Sequence, residues 1–142
     1  MAIQRSPGVC ELIEAIWATA DAQDGEQMAQ LHADDPHLVF VLPAPIEAWH
    51  GLTEVKDAIR AAHDGSSSLR FQIGRCIAFE DGDTGWGVGD GFFTEDGRRY
   101  PYRLTVVARR TESGVWKSIF SQTAIPIRDE AFSEALAEPE TD

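Results

Sequence analysis

The fold is decided by the stretch LRFQIGRCIAFEDGDTGWGVGDGFFTEDGRRYPYRLTVVARR, residues 69–110. Apolar residues alternate with other residues along it, which is typical of strands that bury one face. In the first strand one parity carries the large apolar residues Leu69, Phe71, Ile73, Ile77 and Phe79. Turn residues at Asp81-Gly82-Asp83 and Asp96-Gly97 divide the stretch into three strands joined by short hairpins. The stretch therefore predicts an antiparallel sheet.

Three helices are predicted ahead of these strands. Each begins at a side chain that can cap a helix and continues with apolar residues at helical spacing. Their predicted bounds are Ser6 to Ala20, Asp24 to His32, and Thr53 to Gly65. The first is the most strongly amphipathic, with Pro7 at its first position and Trp17 on its apolar side.

Two more strands complete the predicted sheet. His37 to Leu42 is a short apolar run closed by Pro43-Ala44-Pro45, and Val115 to Ile125 follows the turn Ser113-Gly114. Helices followed by an antiparallel sheet place the helices on one face of that sheet, which is the α+β class. A sheet face and a helix layer can enclose a cavity.

Length and charge limit the possible functions. The 142 residues suffice for a single domain, with a predicted core of about residues 7–126 and a C-terminal tail of about residues 127–142. The formal net charge of -12 repels phosphate backbones and anionic lipid headgroups. We therefore expect neither a nucleic-acid partner nor a membrane partner. The start has no apolar segment of a signal peptide, which predicts a cytoplasmic protein.

No pattern for a metal or a cofactor is present in the sequence. Cys10 and Cys76 have no CxxC spacing or neighbouring histidine, and we interpret both as small buried apolar residues. The glycines between Gly85 and Gly91 lie inside a strand, without the strand-to-helix context of a dinucleotide fingerprint. The sequence therefore predicts no metal and no cofactor.

Several phrases of the sequence resemble one family. They are Leu31-His32-Ala33-Asp34-Asp35, Trp49-His50-Gly51, Gly85-Trp86, Arg103-Leu104-Thr105-Val106-Val107 and Val115-Trp116-Lys117-Ser118-Ile119. In this order they resemble the SnoaL-like branch of the nuclear-transport-factor-2-like superfamily, over roughly Glu11 to Pro126. The resemblance implies a cone-shaped, curved antiparallel sheet packed against about three helices from the N-terminal half, enclosing a pocket. Relatives include ketosteroid isomerases, polyketide cyclases, dehydratases and a non-catalytic kinase association domain, so no single reaction is implied.

The chain departs from the catalytic patterns of these relatives. Ketosteroid isomerases carry a general-base aspartate where this chain reads Leu38-Val39-Phe40-Val41, and an oxyanion-donor tyrosine where it reads Ile16-Trp17. Other relatives carry a histidine and a serine in the last strand, at positions that look like Gln122 and Ala124. A glutamine cannot take up a proton near neutral pH. These departures favour ligand binding over acid–base catalysis and leave open whether the protein is an enzyme.

Arg103 is the first candidate for the binding site. It interrupts an apolar strand and matches an arginine that some relatives direct into the pocket. A guanidinium withdrawn from water needs an acceptor, and a ligand carboxylate would provide one through two parallel hydrogen bonds. Gln122 and Phe120 share a parity on the last strand and are predicted to line the same pocket. The alternative for Arg103 is a solvated or paired side chain.

The loop before the third helix supplies two further candidates. Trp49 is predicted either to stack on a ligand or to pack in the core. His50 is the candidate general base. His32, His37 and His63 are interpreted as structural or exposed residues.

The glycine-rich strand carries the last candidates. Glycines alternate there with larger residues, in the order Gly85, Trp86, Gly87, Val88, Gly89, Asp90, Gly91 and Phe92. One strand face without side chains indicates either a bend or the close approach of a large group. Trp86 is a candidate ligand-binding residue, and Asp90 is the candidate acid–base partner of His50, with an exposed aspartate as the alternative.

Two functions are consistent with these residues, and a third role is compatible with both. The first is a small-molecule-binding domain with a largely apolar pocket, anchored by Arg103, for a ligand with a carboxylate or carbonyl group. The second is a lyase, isomerase or cyclase that acts on a ring-containing or carbonyl substrate through His50 and Asp90. In either case we expect a homodimer whose sheets meet face to face, as relatives commonly do.

Overall fold

The computed structural model describes residues 2–43 and 47–126. It contains three helices, α1 (Pro7–Ala22), α2 (Gly25–Gln30) and α3 (Leu52–Ala62). Its seven strands are β1 (Gln4–Arg5), β2 (Val39–Leu42), β3 (Glu47–His50), β4 (Arg70–Asp81), β5 (Thr84–Glu95), β6 (Arg98–Arg110) and β7 (Trp116–Ala124). The predicted tail from residue 127 onward and most of the predicted loop Pro43-Ala44-Pro45 lie outside the described residues. No described helix is long and apolar enough to cross a membrane.

The seven strands form one curved, unclosed sheet in the order β1-β4-β5-β6-β7-β2-β3. All neighbouring strands are antiparallel except β2 and β7, which run parallel. The helices pack against one face, so the predicted α+β class, with a curved sheet and three helices, is confirmed. The other face, here called the outer face, is not covered by any described helix.

Two strands were not predicted, and one predicted cap is wrong. β1 has only two residues, too few to show alternation, and β3 contains Trp49 and His50, which the sequence placed in a loop. β3 forms because it pairs along the whole of β2. No local sequence pattern predicts this tertiary contact. Gly51, with a φ of 94°, caps α3 instead of Thr53 and makes no side-chain cap hydrogen bond.

Helix α1 is held at both ends by hydrogen bonds. Ser6 Oγ accepts from Val9 N at 3.1 Å, and Ser6 N donates to Ala78 O at 3.0 Å, so the cap also ties the helix to β4. At the other end Asp21 Oδ1 accepts from Phe71 N at 2.9 Å. The apolar stripe between these ends is buried, and Trp17 is 4% exposed.

The inward face of β5 is a floor of four glycines: Gly85, Gly87, Gly89 and Gly91. α1 packs directly on this glycine floor. A Cβ atom on Gly89 would lie 2.7 Å from Ile13 Cγ2 and 3.0 Å from Trp17 Nε1. Contacts that short would force α1 away from the sheet. Of the two explanations that the sequence allowed, the geometry supports the close approach of a large group, and that group is α1.

A β-bulge reverses the predicted parity halfway along β4. The register against β5 shifts between Ile73 and Arg75, so one extra residue separates the two halves of the strand. Phe71 and Ile73 face the helices as predicted, whereas Ile77 and Phe79 pair with Val88 and Trp86 on the outer face. The prediction that all five apolar residues of this strand share one face is therefore wrong.

Candidate functional site

A pocket lies between the helix layer and the sheet, beyond the end of the glycine floor. It has an inner chamber of about 40 Å³ and an outer chamber of about 270 Å³. Both chambers are lined by Leu42, His63, Phe71 and Tyr102, so they adjoin one another. We call the whole the helix–sheet pocket. Its outer chamber approaches the lower end of the range usual for small-molecule sites.

Aromatic rings form the walls of the inner chamber. Trp17 meets Tyr102 edge to face with ring centroids 5.7 Å apart, and Phe71 lies 5.3 Å from Tyr102. Phe40 lines the chamber from the opposite side, on β2. Interlocked rings hold one another in place, so these walls are formed before any ligand arrives. The indole Nε1 of Trp17 is buried against the glycine floor and has no hydrogen-bond partner among the described residues.

His63 is the basic side chain of the helix–sheet pocket. It follows the last residue of α3, where its Nδ1 lies 3.1 Å from Ile59 O, and its own carbonyl accepts from Gly25 N at 2.9 Å. Burial lowers the pKa of His63, and the hydrogen bond to the Ile59 carbonyl opposes that shift in part. The imidazole is therefore neutral near neutral pH. Because Nδ1 carries the proton that Ile59 O accepts, Nε2 is the nitrogen with a free lone pair.

The remaining polar groups of the pocket are uncharged, with one exception at its mouth. Burial raises the pKa of the Tyr102 phenol, an effect that the nearby Thr123 hydroxyl opposes in part. Thr123 Oγ1 itself donates to Val41 O at 3.2 Å. Gln23 Nε2 donates to Ala20 O at 3.0 Å, whereas Gln23 Oε1 is buried without a hydrogen-bond partner among the described residues. Among the described lining residues only Glu95, exposed at the mouth, is charged at neutral pH.

Arg103 does not point into the helix–sheet pocket, and this prediction is wrong. It lies on the outer face opposite Asp90, and its Nε donates to Asp90 Oδ1 at 2.6 Å. The two side chains are 47% and 42% exposed. An exposed ion pair in water needs no ligand to satisfy it. The argument for a carboxylate ligand at Arg103 therefore does not apply.

The other sheet residues predicted for the site also lie on the outer face. Trp86 pairs with Phe79 and Val107, with ring centroids of Trp86 and Phe79 6.5 Å apart. Phe120 and Gln122 pair with Val107 and Thr105 on the same face. None of the three lines the helix–sheet pocket.

The predicted acid–base pair does not share a cavity. His50 is exposed on β3 and pairs with the outward residue Val39. Asp90 lies on β5, and β6, β7 and β2 separate the two strands. Four strand spacings place these side chains on the order of 19 Å apart. Trp49 is half-buried and packs on Phe40 at 5.8 Å, so it supports a wall of the pocket from behind.

None of the predicted site residues lines the helix–sheet pocket, and one pattern in the sequence could have found Tyr102. Along β6 the polar residues Arg103, Thr105 and Arg109 share one parity, and Leu104, Val106 and Ala108 share the other. That alternation predicts Arg103 outward and Tyr102 inward, as observed. The family resemblance pointed the other way. For His63 the sequence offers only its place at the end of an amphipathic helix.

Comparisons with known proteins agree on the fold. A family profile described as "SnoaL-like domain" matches residues 9–128. A structure of an NTF2-like protein of unknown function from Pseudomonas putida has a TM-score of 0.72 at 17% identity, covering 90% of this chain and 94% of that one. A "putative dehydratase" of the NTF2-like family from Streptomyces avermitilis has a TM-score of 0.71 at 19% identity, covering 85% and 95%.

A third structure differs in the activity that its name gives. It is a "putative aromatic ring hydroxylase" from Novosphingobium aromaticivorans, with a TM-score of 0.66 at 19% identity, covering 85% of this chain and 88% of that one. The comparison with curated proteins finds no match. At these identities the structural likeness shows the fold alone. The profile covers most of the chain, and the protein therefore belongs to the SnoaL-like domain family.

Proposed function

We propose that this domain binds a small, uncharged and largely apolar molecule in the helix–sheet pocket. The observation that carries the proposal is the set of interlocked aromatic walls around two adjoining chambers, with few polar groups converging on them. Concave, mostly apolar sites of this kind are the usual form of small-molecule sites in proteins. Ring-containing ligands suit such walls because aromatic rings pack edge to face or offset on one another.

The charge distribution argues for an uncharged ligand. A carboxylate in the helix–sheet pocket would find no described cation among the lining residues and would pass Glu95 at the mouth. Burying an unpaired charge is far more costly than burying a neutral polar group. The net charge of -12 adds long-range repulsion against anions. The proposed ligand therefore differs from the sequence-based expectation of a carboxylate, and a carbonyl group remains compatible.

Blocking the mouth of the pocket tests this function. Ala62 is exposed and lines the outer chamber, so in Ala62→Trp the indole should fill the chamber without disturbing the core. We expect the neutral fluorescent probe N-phenyl-1-naphthylamine to bind the native protein and to lose at least about 10-fold in affinity with Ala62→Trp, as for the loss of a few buried apolar contacts. Fluorescence titration measures both affinities.

The matched control is Ala61→Trp, one residue earlier on α3. Ala61 is also exposed but does not line the pocket. Its variant should bind the probe as the native protein does. Equal affinity in all three proteins would place the probe elsewhere and contradict the proposed site.

The second candidate is acid–base catalysis in the same pocket. The observation in its favour is that a neutral histidine, His63, and a phenol, Tyr102, line both chambers together. A base and a hydroxyl donor can together enolise a bound carbonyl compound. In heavy water such an enzyme would exchange the α-protons of cyclic ketones, visible by NMR, and His63→Gln would stop the exchange. A protein that only binds would give no exchange above the buffer rate.

We also propose that the outer face mediates a homodimer. It presents partly exposed apolar side chains that no described helix covers, namely Val39, Ile77, Phe79, Trp86, Val88, Val107 and Phe120. Contiguous apolar patches of this kind on a sheet mark interaction surfaces. Sedimentation at high micromolar concentration should give a dimer, and Val88→Lys should give a monomer. Ala61→Lys, away from this face, should remain dimeric, and a monomeric native protein would refute the proposal.

A further inference from the structure

We infer that the helix–sheet pocket selects ring compounds that carry a neutral hydroxyl group, and that this hydroxyl donates its hydrogen bond to Nε2 of His63. The inference rests on the proposed small-molecule binding and names the class of ligand. It makes His63 the residue that determines specificity, in a pocket whose other walls are mainly apolar. The experiment below separates its failure from the failure of binding itself.

The hydrogen bonds around His63 decide which ring nitrogen can meet a ligand. Nδ1 lies 3.1 Å from Ile59 O, and a carbonyl can only accept, so Nδ1 must carry the proton. The neutral ring then has a lone pair and no proton at Nε2. Nε2 has no hydrogen-bond partner among the described residues, and it is not one of the buried unpartnered atoms. Nε2 is therefore an accessible acceptor that can pair with a hydrogen-bond donor of a ligand.

Contacts of its backbone fix the position of His63 at the end of α3, and the Nδ1 contact with Ile59 O orients its ring. Gly25 N donates to His63 O at 2.9 Å, and a Cβ atom on Gly25 would lie only 2.9 Å from that same oxygen. The start of α2 thus packs tightly on the end of α3 at this residue. A side chain held by its own helix carbonyl and by a packed backbone presents its acceptor in one orientation, which is the condition for selectivity.

The surroundings of His63 keep the acceptor neutral. The other polar side chains that line the outer chamber with His63 are the amide of Gln23, the hydroxyl of Ser67, the phenol of Tyr102 and, at the mouth, the carboxylate of Glu95. Burial lowers the pKa of His63, so protonation does not compete near neutral pH. An ether or a hydrocarbon has no proton to donate to Nε2. A hydroxyl does, and it brings no charge that the apolar walls would have to desolvate.

Other donors fit the pocket less well. An ammonium group could donate to Nε2, but it would leave water for chambers whose described walls hold no carboxylate apart from Glu95 at the mouth. A carboxylate offers no proton near neutral pH. A phenol or a cyclic alcohol combines an apolar ring for the aromatic walls with a single neutral donor for His63.

Three matched probes test the inference by calorimetry on the native protein. They are naphthalene, 2-naphthol and 2-methoxynaphthalene, which share one ring system and differ in the presence of a donor. All three should bind. The native protein should bind 2-naphthol about 5-fold more tightly than 2-methoxynaphthalene, as expected for one neutral hydrogen bond. If all three bind and this preference is absent, the inference fails while the proposed function stands, and if none binds, both fail.

Variants of His63 then locate the preference. His63→Phe keeps a ring of similar size without an acceptor, and it should bind 2-naphthol and 2-methoxynaphthalene equally. Naphthalene should still bind this variant, which checks that the pocket is intact. His63→Gln can donate to Ile59 O and still offer an oxygen acceptor, and it should recover part of the preference. An unchanged preference in His63→Phe would overturn the inference.

A spectroscopic signature gives an answer even if His63→Phe does not fold. The excited state of 2-naphthol is a strong acid that passes its proton to a hydrogen-bonded base and then emits as naphtholate. Bound to the native protein it should show this longer-wavelength emission, because Nε2 is the base in contact with the hydroxyl. Emission from neutral 2-naphthol alone, in the saturated complex, would contradict the proposed contact.

Discussion

Gly91→Ala is expected to lower the free energy of unfolding by at least about 4 kcal/mol, among the largest effects of a single methyl group. A Cβ atom at this position would overlap the backbone oxygen of Gln72 and lie 2.8 Å from Ile73 Cα. These are backbone atoms of the paired strand β4, so no side chain can rotate away. The ring of Trp17 lies 2.9 Å from the same Cβ position, so it also crowds the added methyl group. The strand pair or the helix must therefore move.

Urea unfolding followed by circular dichroism measures the effect. The control is Gly74→Ala, in the β-bulge of the neighbouring strand. Gly74 has an ordinary backbone conformation, and a methyl group there would have Asp90 O as its nearest neighbour at 3.5 Å, a normal contact. Its variant should stay within about 1 kcal/mol of the native protein. Similar losses in both variants would show that the glycine floor is not the cause.

Lowering the pH from 7 to 4 is expected to destabilise the fold by about 3 kcal/mol through His32 alone. Burial lowers the pKa of His32 to about 4, and repulsion by Lys56 and Lys117 adds to this, against the hydrogen bond to Met28 O. Nε2 of this ring is buried without a partner among the described residues, so a proton there would have no acceptor. The unfolded chain takes up the proton near pH 6.5, and the folded chain does so only near pH 4.

The direction of the pH effect follows from the order of the two pKa values of His32, since the pKa is higher in the unfolded chain than in the folded chain. Above pH 6.5 both states are neutral at His32 and the pH has no effect through it. Between pH 6.5 and 4 the unfolded state binds more protons, so stability falls as the pH falls. His63, whose pKa burial also lowers, contributes in the same direction. Carboxylates with lowered pKa values, such as Asp35 at about 2, lose their contribution mainly below this window.

His32→Phe isolates this contribution. A phenyl ring can keep the edge-to-face contact with Phe40, and Met28 O still accepts from Leu31 N. Thermal unfolding between pH 7 and 4 should show a flatter slope in this variant. His37→Phe, at a side chain that is 91% exposed, should retain the native slope. Native and His32→Phe proteins with parallel pH profiles would contradict the assignment.

The fold could be predicted from the sequence because its signals are local. Capping residues and helical spacing indicate the helices. The turns Asp81-Gly82-Asp83 and Asp96-Gly97 indicate the hairpins between the long strands. The orientation of side chains on those strands was harder to predict. An extra residue at the β-bulge between Ile73 and Arg75 turns Ile77 and Phe79 outward, and a bulge leaves no clear trace in an alternating pattern.

For the candidate site, the sequence could predict the kind of site but not the residues that line it. A pocket between helices and sheet follows from the fold, but its residues depend on parity and on tertiary contacts. Arg103 was assigned to the pocket by resemblance, although the alternation around Leu104 and Val106 placed it outside. His63 enters the pocket because the end of α3 packs on the start of α2 at Gly25, a contact between segments far apart in the sequence. No spacing rule encodes that contact.

The glycine floor also fixes where along the sheet the cavity can exist. From Gly85 to Gly91 the helix and the strand touch, with Val9, Ile13 and Trp17 resting on the glycines in turn. The cavity opens only past this run, where Phe93 follows on the same face of β5 and side chains separate the two layers again. The number of alternating glycines therefore sets where along β5 the cavity begins. Lengthening or shortening that run would move the cavity along the strand. The sequence of β5 therefore determines the position of the cavity, whereas the helices and β6 determine its chemistry.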